Sequence, residues 1–173
     1  VILFPLYDGT NLSGKGRMAA MRRLELLIPP PLIMLLAGAL MWASSALWPL
    51  FDVAWIRGSA GAVLLVMLGI VIALMGVFAF RRGRTTMDPR HPADASSLVR
   101  SGIYRYSRNP MYLGVLLVLA GWGVYLGNLL SLLWLPGFVA YITRFQIIPE
   151  ERLLRDKFGP EFVRYMNAVR RWI

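Results

Sequence analysis

The feature that most constrains this chain is an apolar block of 38 residues, Met111 to Ile148. A bilayer core takes about 20 apolar residues as one helix, so the block is too long for a single span and fits a tight hairpin of two. Gly127-Asn128 is the predicted turn, because these residue types favour turns. Pro136-Gly137 is expected to kink the second helix of the hairpin.

Two further apolar segments, Leu26 to Leu47 and Gly58 to Phe80, are each long enough to cross a bilayer. In the second segment Gly69 and Ala73 form a small-xxx-small pair that permits close helix packing. The predicted spans are residues 26–47, 58–80, 111–127 and 129–148. The predicted fold class is therefore an all-α membrane protein, with about four transmembrane helices arranged as two hairpins.

Composition agrees with a small membrane protein, because 57% of the 173 residues are hydrophobic. The absence of cysteine excludes disulfides, thiolate catalysis and cysteine metal sites. A single histidine, His91, argues against a histidine metal site or a Ser-His-Asp triad. The net charge of +10 is interpreted as a mark of orientation and of contact with membrane lipids, not of nucleic-acid binding.

The distribution of arginine predicts the orientation. Residues 48–57 carry only Arg57, whereas the polar loop 81–110 carries seven arginines: Arg81, Arg82, Arg84, Arg90, Arg100, Arg105 and Arg108. Cytoplasmic loops of membrane proteins are enriched in Lys and Arg. The sequence therefore predicts an integral membrane protein, with the N-terminus and this loop on the cytoplasmic face.

The two ends of the chain differ from its apolar middle. Residues 1–17 begin with Val instead of Met and are interpreted as a cloning remnant or a disordered arm. Residues 18–173 are interpreted as one membrane domain. The tail 149–173 is amphipathic and basic, with Glu150-Glu151 in a first helical turn. That helix is expected to end near Phe158-Gly159, and a second short helix to begin at Pro160.

A polar, basic and aromatic stretch, Leu98 to Gly114, leads directly into the apolar block. Asn109 suits a helix N-cap and Pro110 suits the first helical position. The free N–H groups of Met111 and Tyr112 are then expected to face the polar side. A helix start flanked by guanidinium groups is suited to bind a carboxylate or a phosphate.

Two motifs in this region resemble those of the integral-membrane methyltransferases. Gly102-Ile103-Tyr104 followed by Arg108-Asn109-Pro110-Met111-Tyr112-Leu113-Gly114 is similar to the central motif of the isoprenylcysteine carboxyl methyltransferases and phospholipid N-methyltransferases. The usual form is Arg-His-Pro-x-Tyr, and Asn often replaces His in bacterial relatives. The second motif, a Glu pair ahead of Phe-Gly, is matched by Glu150-Glu151 and Phe158-Gly159. The resemblance covers residues 81–173.

The resemblance implies S-adenosylmethionine as the methyl donor, S-adenosylhomocysteine as the product, and a lipophilic acceptor such as a prenylcysteine carboxylate or a phospholipid amine. The residues that it implies for the cofactor pocket are Ser97, Leu98, Val99, Tyr104, Asn109, Pro110, Met111, Tyr112, Glu150 and Glu151. No metal is implied. The short C-terminal helices and the cytoplasmic loop are expected to form the pocket together.

Elementary chemistry assigns roles to some of these residues. Arg108 and the helix start suit the carboxylate of the donor. Glu150 or Glu151 suits its ammonium or its ribose hydroxyls, because carboxylates accept strong hydrogen bonds from both. Tyr104 and Tyr112 could wall the adenine. The candidate catalytic residues are Arg108, Arg144 and Glu150.

The acceptor remains open. In the prenylcysteine branch an Arg four residues before the acidic pair meets the substrate carboxylate, and this chain has Gln146 there, which lacks a guanidinium fork. Arg144 lies about 200° around an ideal helix from Gln146 and could substitute only if the helix is distorted. The alternative to an enzyme is a non-catalytic four-helix membrane protein that binds lipid or a partner. A transporter subunit is less favoured, because the predicted spans carry no Asp, Glu, Lys or His.

Overall fold

The computed structural model describes residues 25–53, 57–58, 60–82 and 97–173. These residues form helices and turns, with one isolated antiparallel bridge between Asp52 and Asn128. The predicted all-α membrane class is confirmed. The interpretation of residues 1–17 and the position of His91 lie outside the described residues.

The first half of the described chain contains two long apolar helices. Helix α1 spans Pro30–Leu47 and is followed by a short 3-10 turn, Pro49–Phe51. Helix α1 begins four residues later than expected, because its first residue is a proline preceded by Pro29, and prolines fit only the first turn of a helix. Helix α2 spans Ala60–Arg82 and ends on two arginines.

A 3-10 turn, Gly102–Arg105, precedes helix α3, which spans Pro110–Leu126. Pro110 holds the first helical position, as predicted, but the Asn109 side chain does not cap the helix. The predicted turn at Gly127-Asn128 is confirmed. Gly127 adopts a left-handed φ of 66°, which glycine tolerates best, and the Asn128 side chain accepts a hydrogen bond from Ser131 N at 3.2 Å.

The remaining chain forms one nearly continuous helical rod. It consists of α4 (Leu129–Leu132), α5 (Trp134–Ile142), a π-helical turn (Thr143–Ile147) and α6 (Ile148–Ala168).

Three expectations about this rod are confirmed. The expected kink or local unwinding at Pro136-Gly137 is confirmed: α4 ends at Leu132, Leu133 forms a turn, and Pro136 lies in the first turn of α5, where it lacks the N–H that would bond to the Leu132 carbonyl oxygen. The expected first helical turn at Pro149-Glu150-Glu151 is confirmed: α6 begins at Ile148, carries these residues in its first turn, and follows the π turn directly. The predicted break near Gly159 is confirmed: its φ of 51° and ψ of −127° are non-helical, and Pro160 follows.

Three described helices are long and apolar enough to cross a membrane: Pro30–Leu47, Ala60–Arg82 and Leu129–Ala168. Only residues 129–148 of the third are predominantly apolar, since residues 149–168 carry eight charged side chains. Helix α3, with 17 residues, is a shorter apolar helix. The arrangement as four spans in two hairpins therefore stays a prediction.

Glycines determine how α2 packs on α3. A Cβ atom on Gly69 would lie 2.5 Å from the Gly114 carbonyl oxygen, and one on Gly121 would lie 2.7 Å from that of Ala62. The two backbones thus approach more closely than side chains would permit. Helices α1, α3 and α5 bury a separate core that includes Met41, Leu119 and Ile142. The start of α3, which carries the motif, is held on both sides.

We expect Gly121→Ala to lower the free energy of unfolding by about 1–3 kcal/mol, because the added methyl group overpacks the contact between α2 and α3. The matched control is Gly137→Ala, where nothing lies within 4 Å of the added atom. This control should be neutral or stabilising by about 0.5–1 kcal/mol, because alanine favours a helix. Thermal unfolding in one detergent measures both, and equal effects of the two substitutions would contradict this packing.

Candidate functional site

The side chain of Tyr112 joins the two sequence motifs. Its hydroxyl, on the first turn of α3, donates to Glu150 Oε1 on the first turn of α6 at 2.7 Å. Tyr112 is buried and Glu150 is half-buried. Each side chain lies in the first turn of its helix, and each helix has a proline at its N-terminus, Pro110 in α3 and Pro149 in α6. Two residues expected in one pocket are therefore in direct contact.

Tyr104 lies beside this pair. It is buried in the 3-10 turn before α3, its ring packs edge-on against Phe80 at 5.4 Å, and its carbonyl oxygen accepts a 2.8 Å hydrogen bond from the Tyr165 hydroxyl. Burial raises the pKa of Tyr104, and the charges of Tyr165 and Glu150 raise it further. Tyr104 thus lies close enough to Glu150 for the charge of Glu150 to raise the pKa of Tyr104.

The environment of Glu150 keeps its carboxyl group protonated near neutral pH. Glu150 follows the apolar part of the rod, and protein atoms shield its carboxyl from water, which raises its pKa to about 8. The hydrogen bond from Tyr112 lowers the pKa and the charge of Glu151 raises it, but both effects are smaller. Among the described residues no salt bridge reaches Glu150.

The neighbouring acid, Glu151, is buried between two arginines. Its Oε1 accepts from Arg108 Nη2 at 2.8 Å, and its Oε2 accepts from Arg171 Nη2 at 2.7 Å. Arg171 Nε also donates to Glu151 Oε1, at 3.2 Å. This hydrogen-bonded contact raises the pKa of Arg171. The Arg108–Glu151–Arg171 cluster satisfies the charge of Glu151 within the protein.

The side chains of Arg108 and Asn109 bond to the C-terminal part of the chain. Arg108 Nη1 donates to the carbonyl oxygens of Met166 and Val169 at 2.8 and 3.1 Å, in addition to its salt bridge. Asn109 Nδ2 donates to the Arg171 carbonyl oxygen at 2.9 Å. The Nη1 and Nη2 groups thus bond to protein groups, whereas Arg108 Nε is buried without a hydrogen-bond partner among the described residues. The expected roles of Arg108 as a ligand of the donor carboxylate and as a catalytic residue therefore stay predictions.

Pro110 and Met111 also have structural neighbours. Pro110 is buried, and both side chains pack against α2 at Gly76, where an added Cβ would lie 2.7 Å from Met111 Cγ. Of the ten expected pocket residues, the three at the start of α3 before Tyr112 thus pack and anchor this helix end, and their place in a cofactor pocket stays a prediction.

A cavity of about 370 Å³ lies beside the segment before the 3-10 turn. Three of its six lining residues are those expected in the cofactor pocket, Ser97, Leu98 and Val99, and the others are Arg100, Ser101 and Arg105. Arg100 forms a 2.8 Å salt bridge with Glu161 on α6. The residues that line the cavity do not include Tyr112 or Glu150.

Arg144 lies apart from the Tyr112–Glu150 pair. It forms a 2.8 Å salt bridge with Glu25, whose other oxygen lies 3.3 Å from Arg152. Gln146 is buried and donates to the Ile28 carbonyl oxygen at 2.7 Å. The π turn supplies the helix distortion considered above, but it directs Arg144 toward the segment before α1. The structure therefore does not place Arg144 with the other candidate catalytic residues.

Sequence reasoning missed Glu25 and Arg171. Both are single charges at the edge of an apolar or amphipathic segment, a pattern that ordinary interfacial residues share. The only available signal for Arg171 was that a lone acidic pair, Glu150-Glu151, needs basic partners if it is buried.

The comparisons with known proteins define the class. Residues 57–161 match the family model described as Phospholipid methyltransferase, and this range includes Tyr104, Tyr112 and the Glu150-Glu151 pair. The helical fold and the match define a membrane methyltransferase. The chain belongs to the phospholipid methyltransferase family.

Relatives agree with this assignment. An uncharacterized protein of Haemophilus influenzae is 48% identical over 63 residues, which are 36% of this chain and 100% of that protein. Two rice proteins, of Oryza sativa subsp. indica and subsp. japonica, are named probable protein-S-isoprenylcysteine O-methyltransferase and are each 33% identical over 126 residues. That match spans 71% of this chain and 64% of the rice proteins. No solved structure matches this chain.

The raised pKa of Glu150 predicts a specific pH dependence of stability. A carboxyl group whose folded-state pKa rises from 4.5 to about 8 stabilises the fold below pH 4.5 and loses that contribution as pH rises through 8. Between pH 6 and pH 9 the wild-type melting temperature should therefore fall on the order of 5 °C more than that of Glu150→Gln. Thermal unfolding of both proteins across this range is the measurement, and parallel curves would show that Glu150 titrates normally.

Proposed function

We propose that this protein transfers a methyl group from S-adenosylmethionine to an amphiphilic acceptor that enters from the lipid bilayer, at the cytoplasmic face of the bacterial inner membrane. The single observation that carries the proposal is the Tyr112–Glu150 hydrogen bond. It joins the two motifs of a membrane methyltransferase family around a shielded carboxyl group that forms no ion pair with any described residue.

The described residues fit the donor. A half-buried carboxyl group without a cationic partner suits the ammonium or ribose hydroxyls of S-adenosylmethionine, because carboxylates accept charge-assisted hydrogen bonds. Tyr112 contacts this carboxyl group, and Tyr104 lies close to it. The nearby cavity, lined by Ser97, Leu98 and Val99, falls within the roughly 300–1,000 Å³ range of ligand pockets. When bound, the donor supplies an activated methyl group on a sulfonium.

The protein would act mainly by orientation and by exclusion of water. Methyl transfer from a sulfonium needs the acceptor atom, the methyl carbon and the sulfur in line. Glu150 would fix one end of the donor, and its position is in turn fixed by Tyr112. The apolar ends of α1, α3 and α5 would let the chain of a lipid acceptor approach from the bilayer, while the polar segment 97–106 would exclude water.

Within this proposal the contacts of Gln146 and Arg144 favour an amine acceptor over a carboxylate. Gln146 is buried against the Ile28 carbonyl, and Arg144 is paired with Glu25. No guanidinium is therefore offered where the prenylcysteine branch has its carboxylate-binding arginine. A phospholipid amine agrees with the description of the matching family model, while the names of the rice proteins make a prenylcysteine the competing acceptor.

Donor binding tests the site. Tyr112→Phe should weaken binding of S-adenosylmethionine about 10- to 100-fold, because the cationic donor would ionise Glu150 on binding and a hydrogen bond to a charged group contributes about 1.5–3 kcal/mol. Tyr106→Phe is the matched control, since Tyr106 is 77% exposed. Calorimetry in detergent or lipid nanodiscs is the measurement. The transfer of a labelled methyl group is measured with phosphatidylethanolamine, prenylcysteine analogues and total lipid extract as acceptors. At a limiting donor concentration this transfer should also be weaker for Tyr112→Phe than for Tyr106→Phe.

Each negative result of these assays has a distinct meaning. If the two tyrosine variants bind S-adenosylmethionine with equal affinity, the Tyr112–Glu150 pair is not part of the donor site. Methylation of the prenylcysteine analogue alone would overturn the preference for an amine. Tight donor binding without transfer to any lipid would point to a soluble acceptor.

Topology tests the cytoplasmic placement. The chain has no native cysteine, so single cysteines report cleanly. Leu50 lies in the turn between α1 and α2 and is 90% exposed. The cysteine of Leu50→Cys should therefore react with an impermeant thiol reagent in intact cells. Tyr106→Cys, beside the site, should react only after the membrane is opened. The reverse labelling would move the site to the outer face.

A further inference from the structure

The last residues of the chain are held by the motif that begins α3. Residues 169–173, named here the C-terminal segment, leave α6 in an extended conformation at Val169 (φ −128°, ψ 133°). Three consecutive carbonyl oxygens then accept hydrogen bonds. Val169 O accepts from Arg108 Nη1 at 3.1 Å, Arg170 O from Arg108 N at 3.1 Å, and Arg171 O from Asn109 Nδ2 at 2.9 Å.

Two side chains of the C-terminal segment add contacts with the helical rod. Arg171 donates two hydrogen bonds to Glu151, at 2.7 and 3.2 Å, and Trp172 Nε1 donates to Thr143 Oγ1 at 3.2 Å. Glu151 is only 6% exposed, so its two arginine partners largely replace water around it. The segment thus fastens the π turn, the start of α6 and the start of α3 to one another.

These contacts act next to Glu150. Consecutive residues on a helix point about 100° apart, so fixing Glu151 fixes the rotation of the first turn of α6 and hence the direction of Glu150. Glu151 Oε2 accepts from Arg171, whereas Arg108 reaches only Oε1. Removing Arg171 would leave one oxygen of a buried carboxylate without this partner and would loosen the contact that holds the first turn of α6 against the start of α3.

We propose that the C-terminal segment is part of the methyl-donor site, and that Arg171 is a positioning residue that acts through Glu151 to aim Glu150 at Tyr112. The inference rests on the proposed function, because it assigns Arg171 to the same donor site. It predicts that Arg171 affects donor binding without contact with the donor. A role in anchoring alone would change the melting temperature and leave the donor affinity unchanged.

The adjacent arginine supplies a matched control. Arg170 carries the same charge, but its side chain is exposed and only its carbonyl oxygen bonds to Arg108. In the full-length protein Arg171→Ala should raise the dissociation constant and the KM of S-adenosylmethionine about 10-fold, with the KM of the lipid acceptor unchanged. Arg170→Ala should change both donor constants by less than about 2-fold. Arg171→Lys keeps the charge without the fork and should lie between them.

Calorimetry and steady-state kinetics, at a temperature where each variant is folded by its melting curve, give these values. If Arg171→Ala does not fold, Arg171→Lys and Arg171→Gln are compared with Arg170→Ala in the same way. Equal donor affinity of the Arg171 and Arg170 variants, with or without a lower melting temperature for the former, overturns the inference. Failure of the wild-type protein to bind S-adenosylmethionine instead overturns the proposed function.

Discussion

The architecture of the site depends on one buried carboxylate, Glu151. A buried charge is costly unless partners replace its water, and removing one partner of a buried pair costs more than the pair contributes. Glu151 has two such partners, Arg108 from the segment before α3 and Arg171 from the C-terminus. The ionic cluster therefore connects three parts of the chain: the segment before α3, the start of α6 and the C-terminal segment. The polar end of the helices is therefore organised around this acid.

The adjacent glutamates divide the work between structure and chemistry. Glu151 is neutralised within the protein, whereas Glu150 accepts a hydrogen bond from a neutral tyrosine and is shielded from water without a cation. Two identical side chains, one residue apart, thus have different electrostatic environments. In the proposed function, the carboxyl group without an ion pair would bind the cationic methyl donor, and its neutralised neighbour would hold it in place.

Features that depend on local backbone preferences were predictable from the sequence. The turn at Gly127-Asn128, the start of α3 at Pro110 and the break at Gly159 follow from the conformations that glycine and proline allow. The pairing of Tyr112 with Glu150 was reachable only through the resemblance to a family. The contacts of Arg108 and Arg171 were not predictable, because an arginine at a membrane interface has the same sequence pattern whether it contacts lipid, a ligand or a carboxylate. Here the carboxylate lies 43 residues from Arg108 and 20 residues from Arg171 in the sequence.

The π turn explains why the acceptor-recognition pattern of the prenylcysteine branch is not reproduced. A π turn adds a residue to the helical repeat and changes which side chains share a face. Here the turn Thr143–Ile147 directs both polar candidates toward the segment before α1, where Gln146 binds Ile28 O and Arg144 binds Glu25. Leu26 N also donates to the Phe145 carbonyl oxygen at 3.0 Å. Polar groups that could have met a substrate carboxylate instead join α1 to the rod. In the proposed function, recognition of the acceptor would therefore come from other residues, which is why we propose an amine, an acceptor that needs no guanidinium partner.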